Sequence, residues 1–165
     1  DKKMSFTQED LLRKVTLKSG DIAPEFSALN QDGVNIALKD FAGKKIVLYF
    51  YPKDNTPGCS TQACEFSQNY DDFAGKNAVI IGISPDSVKS HESFINKQNL
   101  KHILLSDESH EICKAYGVWQ VRKNYGKEYL GVARTTFIID ENGKIIKIYK
   151  SVKPAGHANK VLSEL

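Results

Sequence analysis

Lys45-Ile46-Val47-Leu48-Tyr49-Phe50-Tyr51 runs straight into Pro52-Lys53-Asp54-Asn55-Thr56-Pro57-Gly58-Cys59-Ser60-Thr61-Gln62-Ala63-Cys64-Glu65-Phe66. Behind Lys45 lie six consecutive apolar or aromatic residues, the pattern of a short strand buried on both faces. Two prolines and a glycine punctuate the exit from that strand. Helical spacing then begins at about Cys59, with Ala63, Phe66, Tyr70 and Phe73 as the core stripe of a helix reaching residue 75. Strand, turn and helix in that order predict an α/β chain. They also place a thiol where a helix presents unpaired N–H groups and the positive end of its dipole. Thiols in such places are favoured as thiolates, the nucleophilic form.

The rest of the chain reads as the frame for that turn. Downstream, Ala78-Val79-Ile80-Ile81-Gly82-Ile83-Ser84 is a second buried strand. A helix over about 87–99 follows, with Val88, His91, Phe94 and Ile95 inward. Ile103-Leu104-Leu105 is a short strand, and a helix over about 109–116 carries Ile112, Ala115 and Tyr116. Residues 120–131 read as a polar loop. Two strands, 135–140 and 145–149, flank the hairpin turn Glu141-Asn142-Gly143, and a last helix starts near 156. Upstream, Asp32-Gly33 is a hairpin signal before the alternating residues 34–38, and residues 20–26 lead into it with a short strand. Phe6, Leu11, Leu12 and Val15 form a weak helical stripe, and Thr7 with Asp10 can make a capping box. The expected architecture is an α/β sandwich with a mixed sheet, strand 45–51 central. Residues 1–16 are an N-terminal extension and 17–165 one domain.

Composition narrows the function. The length of 165 residues suits a single domain with a full core. A formal net charge of +3, evenly spread, argues against a nucleic-acid partner. Apolar runs of six or seven residues are too short to span a membrane. No signal-peptide pattern opens the chain. Three cysteines, an odd number in a chain this long, suit a reducing compartment, so a cytoplasmic location is expected. His91, His102, His110 and His157 show no ligand spacing, and a lone Cys-x4-Cys pair is a weak zinc signal. No metal and no cofactor are expected. Cys113 reads as packing beside Ile112. No exposed apolar stripe compels a dimer, so a monomer is favoured.

The two cysteines of the opening stretch constrain one another. Five residues apart on an ideal helix, their Cα atoms lie about 8.6 Å apart and their side chains diverge by about 140°. A disulfide needs Cα atoms within roughly 7 Å. Cys59 falls close to Phe66 on the helical wheel, toward the core, whereas Cys64 falls toward solvent. The pair cannot bond while the helix is intact. It is therefore either a redox switch coupled to local unwinding or two unrelated cysteines. In the first case the N-terminal end of the helix must be only marginally stable.

Pro52-x-x-x-Thr56-x-x-Cys59 resembles the active-site motif of the peroxiredoxins. The longer run from Tyr49 to Cys59, with Cys64, is similar to the bacterioferritin-comigratory-protein or peroxiredoxin Q branch. Further matching stretches are Gly20–Phe26, Asn30–Gly33, Leu105-Ser106-Asp107, Tyr116-Gly117-Val118-Trp119 and Arg134–Asp140. Ser60 stands where the branch most often has threonine. The resemblance implies a thioredoxin-like three-layer sandwich with an N-terminal hairpin. It implies Cys59 as the peroxidatic and Cys64 as the resolving cysteine, with Thr56 and Arg134 completing the site and Pro52 shielding it. The implied substrate is a hydroperoxide, and thioredoxin or a similar thiol reductant is the implied recycling partner. Trp119 and the Tyr49-Phe50-Tyr51 cluster read as core and pocket wall, with Phe50 or Trp119 as the candidates to border the site. A non-enzymatic redox sensor or holdase using the same switch is the alternative. A thioredoxin-like disulfide oxidoreductase would need Cys-x-x-Cys, which is absent.

Overall fold

The computed structural model describes residues 5–165. Its organising strand is β3 (Lys45–Phe50), where side chains alternate between two separate cores. Ile46, Leu48 and Phe50 enter one core, while Val47, Tyr49 and the following Tyr51 enter the other. This explains why the sequence there lacks polar alternation: both faces of the pleat are covered.

β3 pairs in parallel with β4 (Ala78–Ser84), Val47 opposite Ile80, and antiparallel with β8 (Thr135–Ile139), Val47 opposite Ile138. The remaining strands of this sheet are β1 (Ser27–Asn30), β2 (Asn35–Ala37), β5 (Ile103–Ser106) and β9 (Ile145–Tyr149). The sheet runs β2-β1-β5-β4-β3-β8-β9, with β1–β2 as the expected hairpin at one end and β8–β9 at the other. It is mixed, as expected. The middle position of the seven belongs to β4, with β3 beside it, because the β1–β2 hairpin joins through β5 and lengthens that side. Over the Tyr49 face lie α2 (Pro57–Gln68), α3 (Tyr70–Gly75), α4 (Val88–Gln98) and α6 (His157–Glu164), contributing Phe66, Phe73, Phe94 and Val161. Over the Phe50 face lie α5 (Glu111–Ala115) and the segment around Ala23 and Phe26.

Three elements depart from the sequence expectations. The helix expected over 59–75 is two helices. It starts earlier because Thr56 is extended and Pro57 occupies the first helical position, where a missing N–H costs nothing. It breaks at Asn69, whose side-chain amide donates to the Glu65 carbonyl at 2.8 Å, and the break leaves Tyr70 exposed instead of in the core stripe. Residues 120–131 belong to a hairpin outside the main sheet, β6 (Trp119–Asn124) and β7 (Lys127–Val132). Tyr125 and Gly126 turn it, both with positive φ, 50° and 79°, the demand of a two-residue hairpin turn. Most of its side chains are exposed, so no alternation betrays it. Finally, α1 (Gln8–Leu12) has the expected Thr7–Asp10 capping box but is a single short helix. Leu11 and Leu12 face out, and Val15 and Leu17, beyond its end, pack on the core.

Candidate active site

The N-terminus of α2 is built without a side-chain cap. Thr56 occupies the cap position, yet its hydroxyl donates to the Lys53 carbonyl at 2.9 Å and not to a helix amide. Pro57 brings no N–H, and the first helical hydrogen bond of this turn runs from Ser60 N to Thr56 O at 2.8 Å. The amides of Gly58 and Cys59 therefore have no intrahelical acceptor. Cys59 is the third helical residue, further into the first turn than the sequence suggested, and only 1% exposed. Its wheel position holds, because it shares a core cluster with Phe66, Ala63 and Tyr49.

Arg134 supplies the cation. It lies on the two-residue link between β7 and β8, where Val152 N–H donates to its carbonyl at 3.1 Å. Its guanidinium places Nη2 3.4 Å from Cys59 Sγ and donates from Nη1 to Gln62 Oε1 at 2.6 Å. Gln62 is wholly buried, one turn along α2 from Cys59, and it aims the guanidinium at the sulfur. Its Nε2 has no hydrogen-bond partner among the described residues. Sequence reasoning passed over Gln62. The available signal was a long polar side chain on the buried stripe of α2. Gly58 explains how close these parts come, since a Cβ there would stand 3.3 Å from Pro154 Cγ and 3.4 Å from Arg134 Nη2.

Tyr49 lies on the same core face as Cys59 and stacks on Phe66 with ring centroids 4.7 Å apart. Burial, followed by the negative charge of a Cys59 thiolate, pushes the Tyr49 phenol well above its usual range. It therefore stays protonated and shares a 2.7 Å hydrogen bond with His102 Nε2. Phe50 projects into the opposite core, so it does not border the site, as strand alternation requires. Trp119 packs on that same opposite core, yet with Pro52, Lys53, Pro85, Val132 and Arg134 it lines a cleft of about 370 Å³, which it shares with Arg134 and not with Cys59. Pro52 is exposed at the rim of that cleft.

Cys64 is not turned to solvent. It is partly buried, with its Sγ donating to Gln98 Oε1 of α4 at 3.5 Å, and burial raises its thiol pKa. All three cysteines are free, and α2 is continuous between Cys59 and Cys64. Cys113 sits in the Phe50-side core, its thiol raised well above the usual range by burial and then by Asp107. Asp54, Asp86 and His91 bring potential metal-ligand atoms within 4.8 Å of one another, a grouping spread over 38 residues of sequence. Both Asp54 oxygens and both His91 nitrogens are engaged in hydrogen bonds.

A mixed sheet with helices on both faces, a terminal hairpin and a thiol in the first turn of the helix after a central strand define a thioredoxin-like thiol protein. Residues 19–148 match the AhpC/TSA family. Peroxiredoxin Bcp of Bacillus subtilis is 46% identical over 151 residues, covering 92% of this chain and 96% of the relative. A putative peroxiredoxin bcp of Helicobacter pylori is 50% identical over 149 residues, with 90% and 98% covered. Among solved structures, a cysteine-to-serine variant of PrxQ from Xylella fastidiosa superposes with a TM-score of 0.85 at 37% identity, covering 90% of this chain and 94% of that one. A bacterioferritin comigratory protein from Xanthomonas campestris, described for its alkyl peroxide reduction activity, gives 0.80 at 38% identity over 84% and 88%. The chain belongs to the AhpC/TSA family, in its Bcp/PrxQ peroxiredoxin branch.

Proposed function

We propose that this peroxiredoxin reduces hydrogen peroxide and organic hydroperoxides through Cys59, with Cys64 as resolving cysteine and thioredoxin or a similar dithiol as reductant. The observation that carries the reading is the buried Cys59 sulfur in the first turn of α2, 3.4 Å from Arg134 Nη2. Cys59 thiolate attacks the nearer peroxide oxygen. The O–O bond breaks, its electron pair leaves on the departing hydroxide or alkoxide, and a proton completes water or alcohol. The sulfur becomes a sulfenic acid. Arg134 and the free Gly58 and Cys59 amides face the charge that develops on the oxygens. Thr56, whose hydroxyl proton goes to Lys53 O in this state, acts when it turns toward the substrate. Pro52 shields the cleft mouth.

Resolution requires Cys64 sulfur to reach Cys59 sulfur. The first two turns of α2 unwind, freeing Cys64 from Gln98, and the sulfenic acid is displaced with loss of water. An incoming dithiol then reduces the disulfide. The raised thiol of Cys64 supports this order, because its nucleophilic form gains when it leaves its partly buried position. Residues 17–165 carry the activity as one domain, acting as a monomer in the reducing cytoplasm. Residues 1–16 are an extension, within which Arg13 donates to Trp119 O at 3.1 Å.

Steady-state peroxide consumption with a thioredoxin system, on wild type, Cys59→Ser and Cys64→Ser, tests the reading. The first variant loses turnover. The second completes one round and then stalls. Retained turnover in Cys59→Ser overturns the proposal, and oxidation without recycling in the wild type marks a redox sensor instead.

A further inference from the structure

Between the end of β3 and the start of α2, Pro52, Lys53 and Asn55 are exposed and Thr56 is half-buried. Within residues 52–56 Asp54 alone turns inward, 5% exposed. Its carboxylate accepts from Tyr51 Oη at 2.6 Å, Ser90 Oγ at 2.8 Å and His91 Nδ1 at 2.7 Å. Its N–H donates to Asp86 Oδ2 at 2.8 Å, and Asp86 is itself held by Ser84 Oγ at 2.6 Å. The other ring nitrogen of His91 lies 2.9 Å from the Leu105 carbonyl, which can only accept. Nε2 therefore donates to Leu105, and a further proton is shared between Nδ1 and Asp54 Oδ2 across their 2.7 Å contact. One residue thus ties the loop to Tyr51 just beyond β3, to the turn after β4 and to the first turns of α4, and through His91 to β5.

The two residues after this node set the direction of α2. Asn55 is left-handed, with φ 61°, a conformation asparagine tolerates. Thr56 then spends its hydroxyl on Lys53 O and contributes no side-chain cap. No side-chain cap in the first turn of α2 fixes its orientation, which leaves the Asp54 loop and the Arg134–Gln62 contact to hold it. A cation at Asp54, Asp86 and His91 would have to displace hydrogen bonds already made by all four Asp54 and His91 ligand atoms. The arrangement is a complete polar network instead.

We propose that Asp54 is a positioning residue for peroxide reduction. Held by Tyr51, Ser90, His91 and Asp86, it fixes the Thr56–Cys59 turn at the angle that brings the Gly58 and Cys59 amides and the Cys59 sulfur onto the peroxide with Arg134. This rests on Cys59 being the attacking thiol. Two reactions of that thiol separate positioning from mere anchoring. Alkylation by iodoacetamide needs only a thiolate and access to it. Peroxide attack also needs the polar groups aligned on the leaving oxygen.

The experiment compares both rates at one pH in the Cys64→Ser background, with and without Asp54→Asn. Asparagine keeps the shape but presents an NH2 or a neutral oxygen where His91 and Ser90 now meet a carboxylate oxygen. The second-order rate with hydrogen peroxide falls about tenfold or more, as expected for slight misplacement of reacting groups. The alkylation rate stays within about twofold, since neither the sulfur nor its burial has changed. An unchanged peroxide rate overturns the proposal. So does a rise in alkylation, because a loosened anchor would expose a sulfur that is now 1% exposed. Should Asp54→Asn fail to fold, Ser90→Ala removes one donor only and lowers the ratio of peroxide to alkylation rate about threefold; an unchanged ratio overturns the proposal equally. Peroxide reaction persisting in Cys59→Ser defeats the underlying reading of the site, not the role of Asp54.

Discussion

At the scale of single residues, a buried sulfur meets one guanidinium and the glutamine that holds it. Arg134 could swing over the cleft that it lines. The 2.6 Å bond to Gln62 removes that freedom. Gln62→Ala is therefore expected to lower the rate of peroxide reaction by about ten- to a hundredfold, short of the full loss of an oxyanion donor. Competition kinetics against a second peroxide scavenger measures it, and an unchanged rate would remove Gln62 from the site. Cys59 stood out in sequence as a thiol at a strand-to-helix turn, whereas the roles proposed for Cys64, Thr56 and Pro52 came only with the family resemblance. Arg134 was legible only through resemblance, since 75 residues separate it from Cys59. Gln62 and Asp54 were not legible, because what distinguishes them is burial. Cys64 was misjudged on a helical wheel that knew nothing of α4, whose Gln98 covers it.

At the scale of elements, α2 is held mainly from outside itself. Beyond Arg134 and the Asp54 loop, Glu65 receives the Gly156 N–H on both carboxylate oxygens, at 3.0 and 3.3 Å, capping α6 from a neighbouring helix. A helix held by such external ties can release its first turns without disturbing the sheet. Glu65→Ala should lower stability by about 1 kcal/mol and speed disulfide formation after a peroxide pulse. Stopped-flow fluorescence of Trp119 can time that step, and slower formation would contradict the role. The sheet beneath has no such tolerance. A Cβ at Gly82 would lie 2.7 to 2.9 Å from the Tyr49 ring and Leu104, so Gly82→Ala should cost about 1–3 kcal/mol, read from urea unfolding. Strand β3 and the helix order were readable because apolar runs and periodicity are local. The β6–β7 hairpin was not, because its exposed faces leave no pattern beyond Gly126.

At the scale of the molecule, burial of two imidazoles gives stability a pH dependence. His102, wholly enclosed between Tyr49 and Ser67, is pushed down to about 3 by desolvation. His157, bonded to Thr136, is pushed down to about 4, by burial first and then by Lys160 and Arg134. Unfolded histidine titrates near 6.5, so between that value and about 4 the unfolded chain binds more protons than the folded one. Stability contributed by the neutral rings is complete above about pH 6.5 and is lost as pH falls, down to about 4 for His157 and about 3 for His102. Urea midpoints at pH 7 and 5 should show the decline, and His102→Gln should flatten it; a midpoint constant over that interval would contradict the assignment. The order of strands in the sheet, by contrast, was beyond sequence reading, since β1 joins β5 across 75 residues.

On the proposed mechanism, the helix that activates Cys59 also keeps it from Cys64. Hydrogen exchange over residues 57–68, before and after one equivalent of hydrogen peroxide, tests it most directly. Residues 58–64 should lose protection as two thiols disappear, while β3 and β4 keep theirs. Loss of two thiols with α2 still protected would contradict the account.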